Sequence, residues 1–261
     1  MTNQLKDHII KQIQSAELIC DPIDHIVVDS FLPEDFARDL SNEFGDYDGD
    51  HWHKYSNTIE EKRTCNQWNL FKPKTYTYFQ IICSDQVNTE ISKKFNIEVE
   101  ADYGLHGGGQ HIHSKMGNLN PHLDYSIHPK LGAERRLNAI YYLTDQHEEI
   151  DGGHFGLWDN SSASEPGDLI KEYAPIFNRL VLFNTSQKSW HGLSRVYEPK
   201  LNRYRKSLAT YYVSTPREDS LSHTRAYFAP RAEQQNDQTV LDQIKARVNE
   251  NDHEKVYVVR K

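Results

Sequence analysis

Apolar residues recur at helical spacing in the N-terminal part of the chain. Leu5, Ile9 and Ile13 fall on one face of a polar segment, which is typical of an amphipathic helix packed on a core. This helix is predicted over 2–18. A second helix is predicted to open at 32–36, where proline and acidic residues suit the first turn, and to run to about Phe44, and a third is predicted over 76–95. Residues 45–75 mix aromatic and polar side chains without a steady period, which predicts a long structured loop or a loosely paired hairpin. The aromatic side chains of this segment could pack on the protein surface, or the segment could be a substrate lid.

From Val99 onward the pattern changes to short alternating apolar and polar runs that are separated by glycine clusters. That pattern is typical of an antiparallel barrel or a double-sheet jelly roll. We therefore predict a mainly β fold with flanking helices. Strands are predicted over 24–29, 138–143, 151–158, 179–183 and 205–213.

The organisation along the chain predicts one main domain with terminal additions. We expect an N-terminal helix in 1–23, the jelly-roll domain in 24–216 and a charged C-terminal extension in 217–261. Within the extension, 238–249 is predicted to be a helix and 256–259 could be an edge strand. The charged residues of the extension are expected to form a solvated face.

Composition narrows the partners and the compartment. The formal charge of −8 argues against a nucleic-acid partner, which needs clustered lysine and arginine. No apolar run is long enough to cross a bilayer, and no secretory signal begins the chain. Cys20, Cys65 and Cys83 are few, odd in number and far apart, which favours reduced thiols in the cytoplasm.

His122-Leu123-Asp124 and the distant His191 are the strongest candidates for chemistry. Residues two apart on a strand face the same side, so His122 and Asp124 could both enter a barrel interior. Two imidazoles and one carboxylate can hold a redox-active metal on one face and leave its other positions open. Because the chain has 14 histidines, chance alone could also supply a structural histidine and a turn aspartate here.

A second candidate pocket lies on the predicted strand 205–213. Its alternation places Arg205 and Ser207 on one face, where they could hold a carboxylate through charge and hydrogen bonds. His111 and His113 also share a face and could begin a cupin-type metal site, but no glutamate follows at the expected distance. We expect His113 to pack structurally or, at most, to contact a cosubstrate.

Taken in order, these segments resemble the Fe(II)- and 2-oxoglutarate-dependent dioxygenases, and within them the prolyl 4-hydroxylase-like branch. The resemblance covers roughly 24–215. It rests on Asn120-Pro121-His122-Leu123-Asp124, on Ile140-Tyr141-Tyr142-Leu143, on Asp151-Gly152-Gly153, on the run 178–183 before His191, and on Arg205-Lys206-Ser207. It implies a double-stranded β-helix, the jelly roll of that family.

The resemblance implies a role for each candidate. His122, Asp124 and His191 would bind Fe(II), with 2-oxoglutarate and O2 at the remaining positions and ascorbate as a candidate reductant. Arg205 would pair with the far carboxylate of 2-oxoglutarate, helped by Ser207 and by Tyr142, which could equally be a core aromatic. Because Arg205 follows His191 at an unusually long distance for the family, its rivals are Arg195, Lys200, Arg203 and Lys206.

The implied reaction is hydroxylation of an unactivated C–H bond. A carboxylate at position 124 favours hydroxylation over halogenation, since halogenating relatives carry a small residue there. The expected substrate is a prolyl residue in a peptide or protein. The aromatic residues Trp52, Tyr55, Trp68 and Trp158 could line a groove for it, although aromatic packing explains them equally well. Alternatives are a free amino acid, a sugar or another small metabolite, or a jelly roll that binds a ligand without catalysis.

Overall fold

The computed structural model describes residues 2–200, 202–218, 220 and 225–248. Within these residues the helices are α1 Thr2–Ser15, α2 Glu34–Asn42, α3 Pro73–Ile82, α4 Asp85–Phe95 and α5 Gln238–Val248. The strands are β1 His25–Asp29, β2 His53–Ser56, β3 Glu60–Cys65, β4 Glu100–Ala101, β5 Gly109–His113, β6 Asn118–Leu119, β7 His122–Leu123, β8 Glu134–Tyr142, β9 Phe155–Trp158, β10 Leu169–Tyr173, β11 Arg179–Asn184, β12 His191–Leu193, β13 Arg205–Ser214 and β14 Tyr227–Phe228.

These strands form two antiparallel sheets. The larger sheet has nine described strands in the order β1-β11-β8-β13-β5-β3-β2, with β4 alongside β13 and β6 alongside β3. The smaller has five described strands in the order β10-β9-β12-β7-β14. The two sheets curl into a jelly roll, which confirms the predicted mainly β fold with flanking helices.

Strand alternation gives the larger sheet two different faces. On β8, Leu137, Ala139 and Tyr141 join one hydrophobic cluster with the helices, including Ile9 of α1 and Phe79 of α3. The intervening residues of the same strand face the other side of the sheet and line the interior of the jelly roll. The helices therefore hold the larger sheet in place from behind, and its inner face is left for polar side chains.

Helix boundaries differ from the prediction in one place. The single helix expected over 76–95 is two helices, because the chain turns at Cys83 and Ser84. Ser84 adopts an extended backbone (φ −71°, ψ 152°) before α4, and its hydroxyl donates to the Ile81 carbonyl (2.7 Å). Serine is favourable at such a position because its side chain can satisfy groups that a helix end leaves open.

The remaining predicted elements are found near their expected places. The segment 45–75 contains the β2–β3 hairpin, and the predicted helix at 238–249 is α5. The edge strand predicted at 256–259 lies outside the described residues. No helix in the described part of the chain has the length and apolar character to span a membrane.

Candidate metal and carboxylate site

Neighbouring strands of the smaller sheet bring the predicted metal ligands together. His122 on β7 is directly opposite His191 on β12, with the imidazole centroids 4.4 Å apart. Asp124 comes just after β7, which is only two residues long, yet its carboxylate still reaches both rings. One ligand atom from each of the three residues lies within 4.8 Å of the others, and no other such group occurs among the described residues.

The hydrogen bonds of the two histidines leave the correct nitrogens for a metal. Nδ1–H of His122 donates to the Asn120 carbonyl (2.9 Å), and Nδ1–H of His191 donates to the Ser189 carbonyl (2.8 Å). In a neutral imidazole the other nitrogen, Nε2, then carries a lone pair. Nε2 of His191 lies 3.2 Å from Oδ2 of Asp124, so two acceptors face each other and a cation between them would stabilise the arrangement.

Asp124 is anchored by two residues that sequence reasoning missed. Oδ2 of Asp124 accepts from Nδ2 of Asn138 (2.8 Å) and lies 3.1 Å from Nη2 of Arg135. Burial alone would raise the pKa of the Asp124 carboxyl, but Arg135 and then His191 hold it well below its usual range. The carboxylate therefore stays ionised, and burial lowers the pKa of His122 to about 3, which keeps that ring neutral.

Arg135 is itself held firmly. Its guanidinium lies over the Tyr211 ring (3.3 Å to the centroid) and near the Tyr125 ring (4.8 Å), while Nε donates to Oδ1 of Asn138 (2.8 Å). Arg135 reaches the interior because β8 and β13 shift register between Tyr212 and Val213. Such a bulge re-aims the side chains that follow it, so simple alternation along β8 does not predict this residue.

The second group of predicted residues meets where β8 and β13 pair. Ser207 is opposite Tyr142 in the register, and Nη2 of Arg205 donates to the Tyr142 hydroxyl (3.4 Å). Nε of Arg205 donates to the Gly153 carbonyl (2.8 Å). The Tyr142 ring packs against Phe155 and Phe183, so this residue is a core aromatic whose hydroxyl also points to Arg205.

Arg205 has no described carboxylate as an ion-pair partner, although it is only 3% exposed. Burial lowers the pKa of the Arg205 guanidinium, because a charged group is unfavourable away from water. Its rivals point elsewhere: Arg195 pairs with Glu149 and Glu172, Arg203 with Glu148 and Asp151, Lys206 donates to the Ser41 carbonyl, and Lys200 is exposed.

One cavity of about 260 Å³ is lined by His122, Asp124, His191, Arg205 and Ser207, while Tyr142 is not among its lining residues. His113 lines it too, opposite Arg205 on the adjacent strand, and neither of its ring nitrogens has a hydrogen-bond partner. The cupin-type alternative is not formed, because His111 and His113 are not part of the metal-ligand group. Of the four aromatic residues predicted to line a groove, only Tyr55 reaches this cavity.

The other three aromatic residues pack elsewhere. Trp52 contacts His51, Trp68 contacts Tyr76 and Phe79, and Trp158 belongs to the cluster with Leu123 and Trp190. The structure thus favours the packing interpretation for these three side chains.

Comparison with known proteins points to one family. The sequence profile of the 2OG-Fe(II) oxygenase superfamily matches residues 109–213, which contain both groups of site residues. This part of the chain is similar to the 2OG-Fe(II) oxygenases.

The relatives and the solved structures to which this chain is similar include several prolyl hydroxylases. The mouse prolyl 3-hydroxylase OGFOD1 is 23% identical over 219 residues, which cover 83% of this chain and 37% of the relative. The Xenopus laevis protein of that name is 36% identical over 62 residues, which cover 24% of this chain and 12% of the relative. The matches thus span 37% of the length of the mouse relative and 12% of the length of the Xenopus laevis relative.

Among solved structures, a Pseudomonas putida prolyl-4-hydroxylase has a TM-score of 0.53 at 16% identity, covering 80% of this chain and 99% of that one. A Trichoplax adhaerens prolyl hydroxylase in complex with a hypoxia inducible factor peptide fragment has the same TM-score at 15% identity, covering 82% and 90%. At these identities, the solved structures support the fold alone.

Proposed function

We propose that this jelly-roll domain hydroxylates an unactivated C–H bond, using His122, Asp124 and His191 as its iron ligands. The observation that carries the proposal is the buried, uncompensated charge of Arg205 in the same cavity as the His-Asp-His group. An isolated buried cation is strongly unfavourable unless an anion or dense hydrogen bonding compensates it. A dicarboxylic cosubstrate would supply that anion.

Arg205, Ser207 and Tyr142 would together hold the far carboxylate of 2-oxoglutarate. The guanidinium can donate two parallel hydrogen bonds to a carboxylate. The Ser207 hydroxyl on the same strand and the Tyr142 hydroxyl on the neighbouring strand can each donate one more. His113 lies beside this group and has two ring nitrogens available for a ligand. These residues would orient the cosubstrate so that its oxoacid end faces the metal ligands.

When bound, iron and 2-oxoglutarate would supply the oxidising power for C–H hydroxylation, with O2 as oxidant, succinate and carbon dioxide as by-products, and ascorbate as a reductant. The residues of the chain would hold the metal, orient its ligands and limit water in the cavity. His122 and His191 offer the lone pairs of their Nε2 atoms to the metal. Asp124 offers an ionised carboxylate oxygen, and the contacts with Arg135 and Asn138 fix its direction. Apolar residues such as Ile140 and Phe155 line the same cavity and limit water.

A prolyl residue in a peptide or protein is the proposed substrate. The support is that the curated relatives are prolyl 3-hydroxylases and that solved structures with this fold include prolyl hydroxylases, one of them in complex with a peptide. We also propose a cytoplasmic location, which the three free cysteines favour.

Turnover with proline-containing peptides tests the proposal. The protein would be incubated with Fe(II), 2-oxoglutarate, ascorbate and O2, with either a peptide library or a metabolite pool, and succinate and the gain of one oxygen atom would be measured. We expect both products with peptides, neither with Asp124→Ala, and near-normal turnover with Arg195→Met, which removes an exposed arginine.

Each other outcome has a clear meaning. A hydroxylated amino acid, sugar or other metabolite with no hydroxylated peptide would reject the prolyl assignment and keep the hydroxylase. A complete lack of succinate in all pools would favour a jelly roll that binds without catalysis.

A further inference from the structure

The segment 225–248 adds a strand to the smaller sheet, directly beside the strand that carries His122. In this pairing Tyr227 is opposite Leu123 and Phe228 is opposite His122, and the Ala229 backbone N–H donates to the Pro121 carbonyl (2.8 Å). The strand β7 is therefore paired on both sides. This contact comes from outside the region 109–213 that matches the oxygenase superfamily.

Alternation along β14 places its two side chains on opposite faces of the sheet. Tyr227 packs with Leu123, Trp158 and Trp190 on the outer face. Phe228 faces the cavity, where its ring stacks on the His122 imidazole with centroids 5.1 Å apart and planes inclined by 23°. The guanidinium of Arg247 lies 5.1 Å from the centroid of the same phenyl ring.

Buried polar contacts hold this segment in place. Nδ2 of Asn120 donates to the Ala229 carbonyl (3.1 Å) and to Oε1 of Gln234 (2.7 Å). Nη2 of Arg231 donates to Oδ1 of Asn118 (2.5 Å), and Arg231 is only 6% exposed. Buried donors and acceptors are unfavourable when left unpaired, so these contacts fix the segment against the loop that precedes His122.

The two imidazoles have aromatic neighbours of different origin. The ring of His191 contacts Phe183 (4.8 Å between centroids) and Phe155 (6.1 Å), both from strands within the matched region. The ring of His122 depends instead on Phe228 for its stacked contact. The orientation of one candidate ligand is thus tied to a segment that follows the matched region 109–213.

We propose that Phe228 is a positioning residue for the metal site. We also propose that the segment 225–248 is an integral part of the cavity that contains this site. The inference rests on the proposed role of His122 as an iron ligand. The Nδ1–H bond to the Asn120 carbonyl fixes the tautomer of His122, and the stacked phenyl ring fixes the plane of its imidazole. Together they aim Nε2 at the metal position, as outer contacts of metal ligands generally do.

Metal affinity of the unloaded protein tests this role without relying on turnover. Metal-free protein would be titrated with Co(II) under anaerobic conditions, and visible Co(II) absorption would report both affinity and ligand geometry. Phe228→Ala is expected to weaken Co(II) binding about 10-fold, the lower end for loss of an outer contact. Phe228→Tyr keeps the ring and should restore affinity to within about 2-fold of the unmodified protein.

Val240→Ala is the matched control, because Val240 packs in the same hydrophobic cluster as Phe228 and Ile59. It should lower the melting temperature and leave Co(II) affinity and absorption nearly unchanged. Equal weakening by Val240→Ala and Phe228→Ala, or normal binding by Phe228→Ala, would overturn the positioning role. If Phe228→Ala does not fold by circular dichroism, Phe228→Leu replaces it with the same expected loss.

The unmodified protein and His122→Ala separate this inference from the proposed function. Co(II) binding by the unmodified protein and its loss in His122→Ala are expected. Failure of the folded, unmodified protein to bind Co(II) would reject the iron site itself and, with it, the role of Phe228. Normal Co(II) binding in His122→Ala would also overturn both claims.

Discussion

Two buried arginines line the same cavity in opposite electrostatic surroundings. Arg135 is 5% exposed and is compensated by Asp124, by Asn138 and by the Tyr211 ring. Arg205 is 3% exposed and donates only to the neutral Gly153 carbonyl and Tyr142 hydroxyl among the described residues. Burial opposes the charge of Arg135, but Asp124 together with Tyr125 and Tyr211 raises its pKa, whereas burial lowers the pKa of Arg205.

The difference separates a structural charge from a charge that awaits a ligand. A compensated ion pair becomes unfavourable only when one partner is removed, because the other partner is then left buried and unpaired. An uncompensated cation is unfavourable from the start and becomes favourable when an anion binds. Arg135 thus supports the proposed metal ligand Asp124, and Arg205 belongs to the proposed cosubstrate pocket.

The largest expected effect is the loss of folding stability in Arg135→Met. Removal of this guanidinium leaves the Asp124 carboxylate buried without its cation, which should lower the free energy of unfolding by about 3–5 kcal/mol. Urea unfolding of the metal-free protein measures it. Arg205→Met in the same assay should change stability by less than about 1 kcal/mol or increase it, because an uncompensated charge is replaced by an apolar side chain. Equal destabilisation by the two variants would refute the contrast.

The next effect is on cosubstrate affinity in Arg205→Met. Loss of a buried charge partner should weaken 2-oxoglutarate binding about 100-fold, or about 2.7 kcal/mol. Calorimetric titration of the Co(II)-loaded protein with 2-oxoglutarate measures this change. Arg203→Met is a suitable control, since Arg203 pairs with Glu148 and Asp151 outside the cavity. A larger loss in Arg203→Met than in Arg205→Met would transfer the carboxylate role to Arg203.

A smaller effect is expected for Asn138→Ala. This change removes the donor to Oδ2 of Asp124 and the acceptor for Nε of Arg135, so the free energy of unfolding should fall by about 2 kcal/mol. Thermal or urea unfolding gives the value. Affinity for 2-oxoglutarate should stay close to normal, because Asn138 contacts the compensated arginine. A loss of 2-oxoglutarate affinity with unchanged stability would contradict this assignment and would place Asn138 with Arg205 in the proposed cosubstrate pocket.

The smallest effect is expected for Tyr142→Phe. Its hydroxyl accepts from Arg205 at 3.4 Å, a long hydrogen bond, so its loss should weaken 2-oxoglutarate binding about 5-fold, or about 1 kcal/mol. Tyr141→Phe is the matched control from the adjacent position, where the hydroxyl donates to Asn178 on the helix side of the sheet. Tyr141→Phe should lower stability and leave 2-oxoglutarate affinity unchanged; the reverse pattern would contradict the assigned faces.

Sequence patterns predict most of the residues that meet in the cavity. His122 and Asp124 could be selected because a strand places alternate residues on one face, and Arg205 with Ser207 for the same reason. His191 could be selected only from the order of motifs that resembles the family. Arg135 could not be found in this way, because the register shift between β8 and β13 reverses which face it occupies. Without this register shift, regular alternation along β8 would place the Arg135 side chain on the helix side of the sheet, with Leu137.

Long-range pairing also escapes local patterns. The contact between Phe228 and His122 joins segments more than 100 positions apart, and β14 has only two residues, too few for a periodic signal. The aromatic residues 52, 68 and 158 were predicted to line a groove on residue type alone, and packing places them elsewhere. Residue type suggests a role, while the tertiary contacts decide it.

The most direct measurement is anaerobic titration of the Fe(II)-loaded protein with 2-oxoglutarate, followed by the visible metal-to-ligand charge-transfer band. We predict a saturable band in the unmodified protein, no band in Asp124→Ala, and in Arg205→Met a band that requires about 100-fold more 2-oxoglutarate. Absence of the band in the unmodified protein, or an unchanged titration in Arg205→Met, would contradict the claim that the uncompensated arginine receives the cosubstrate beside the metal.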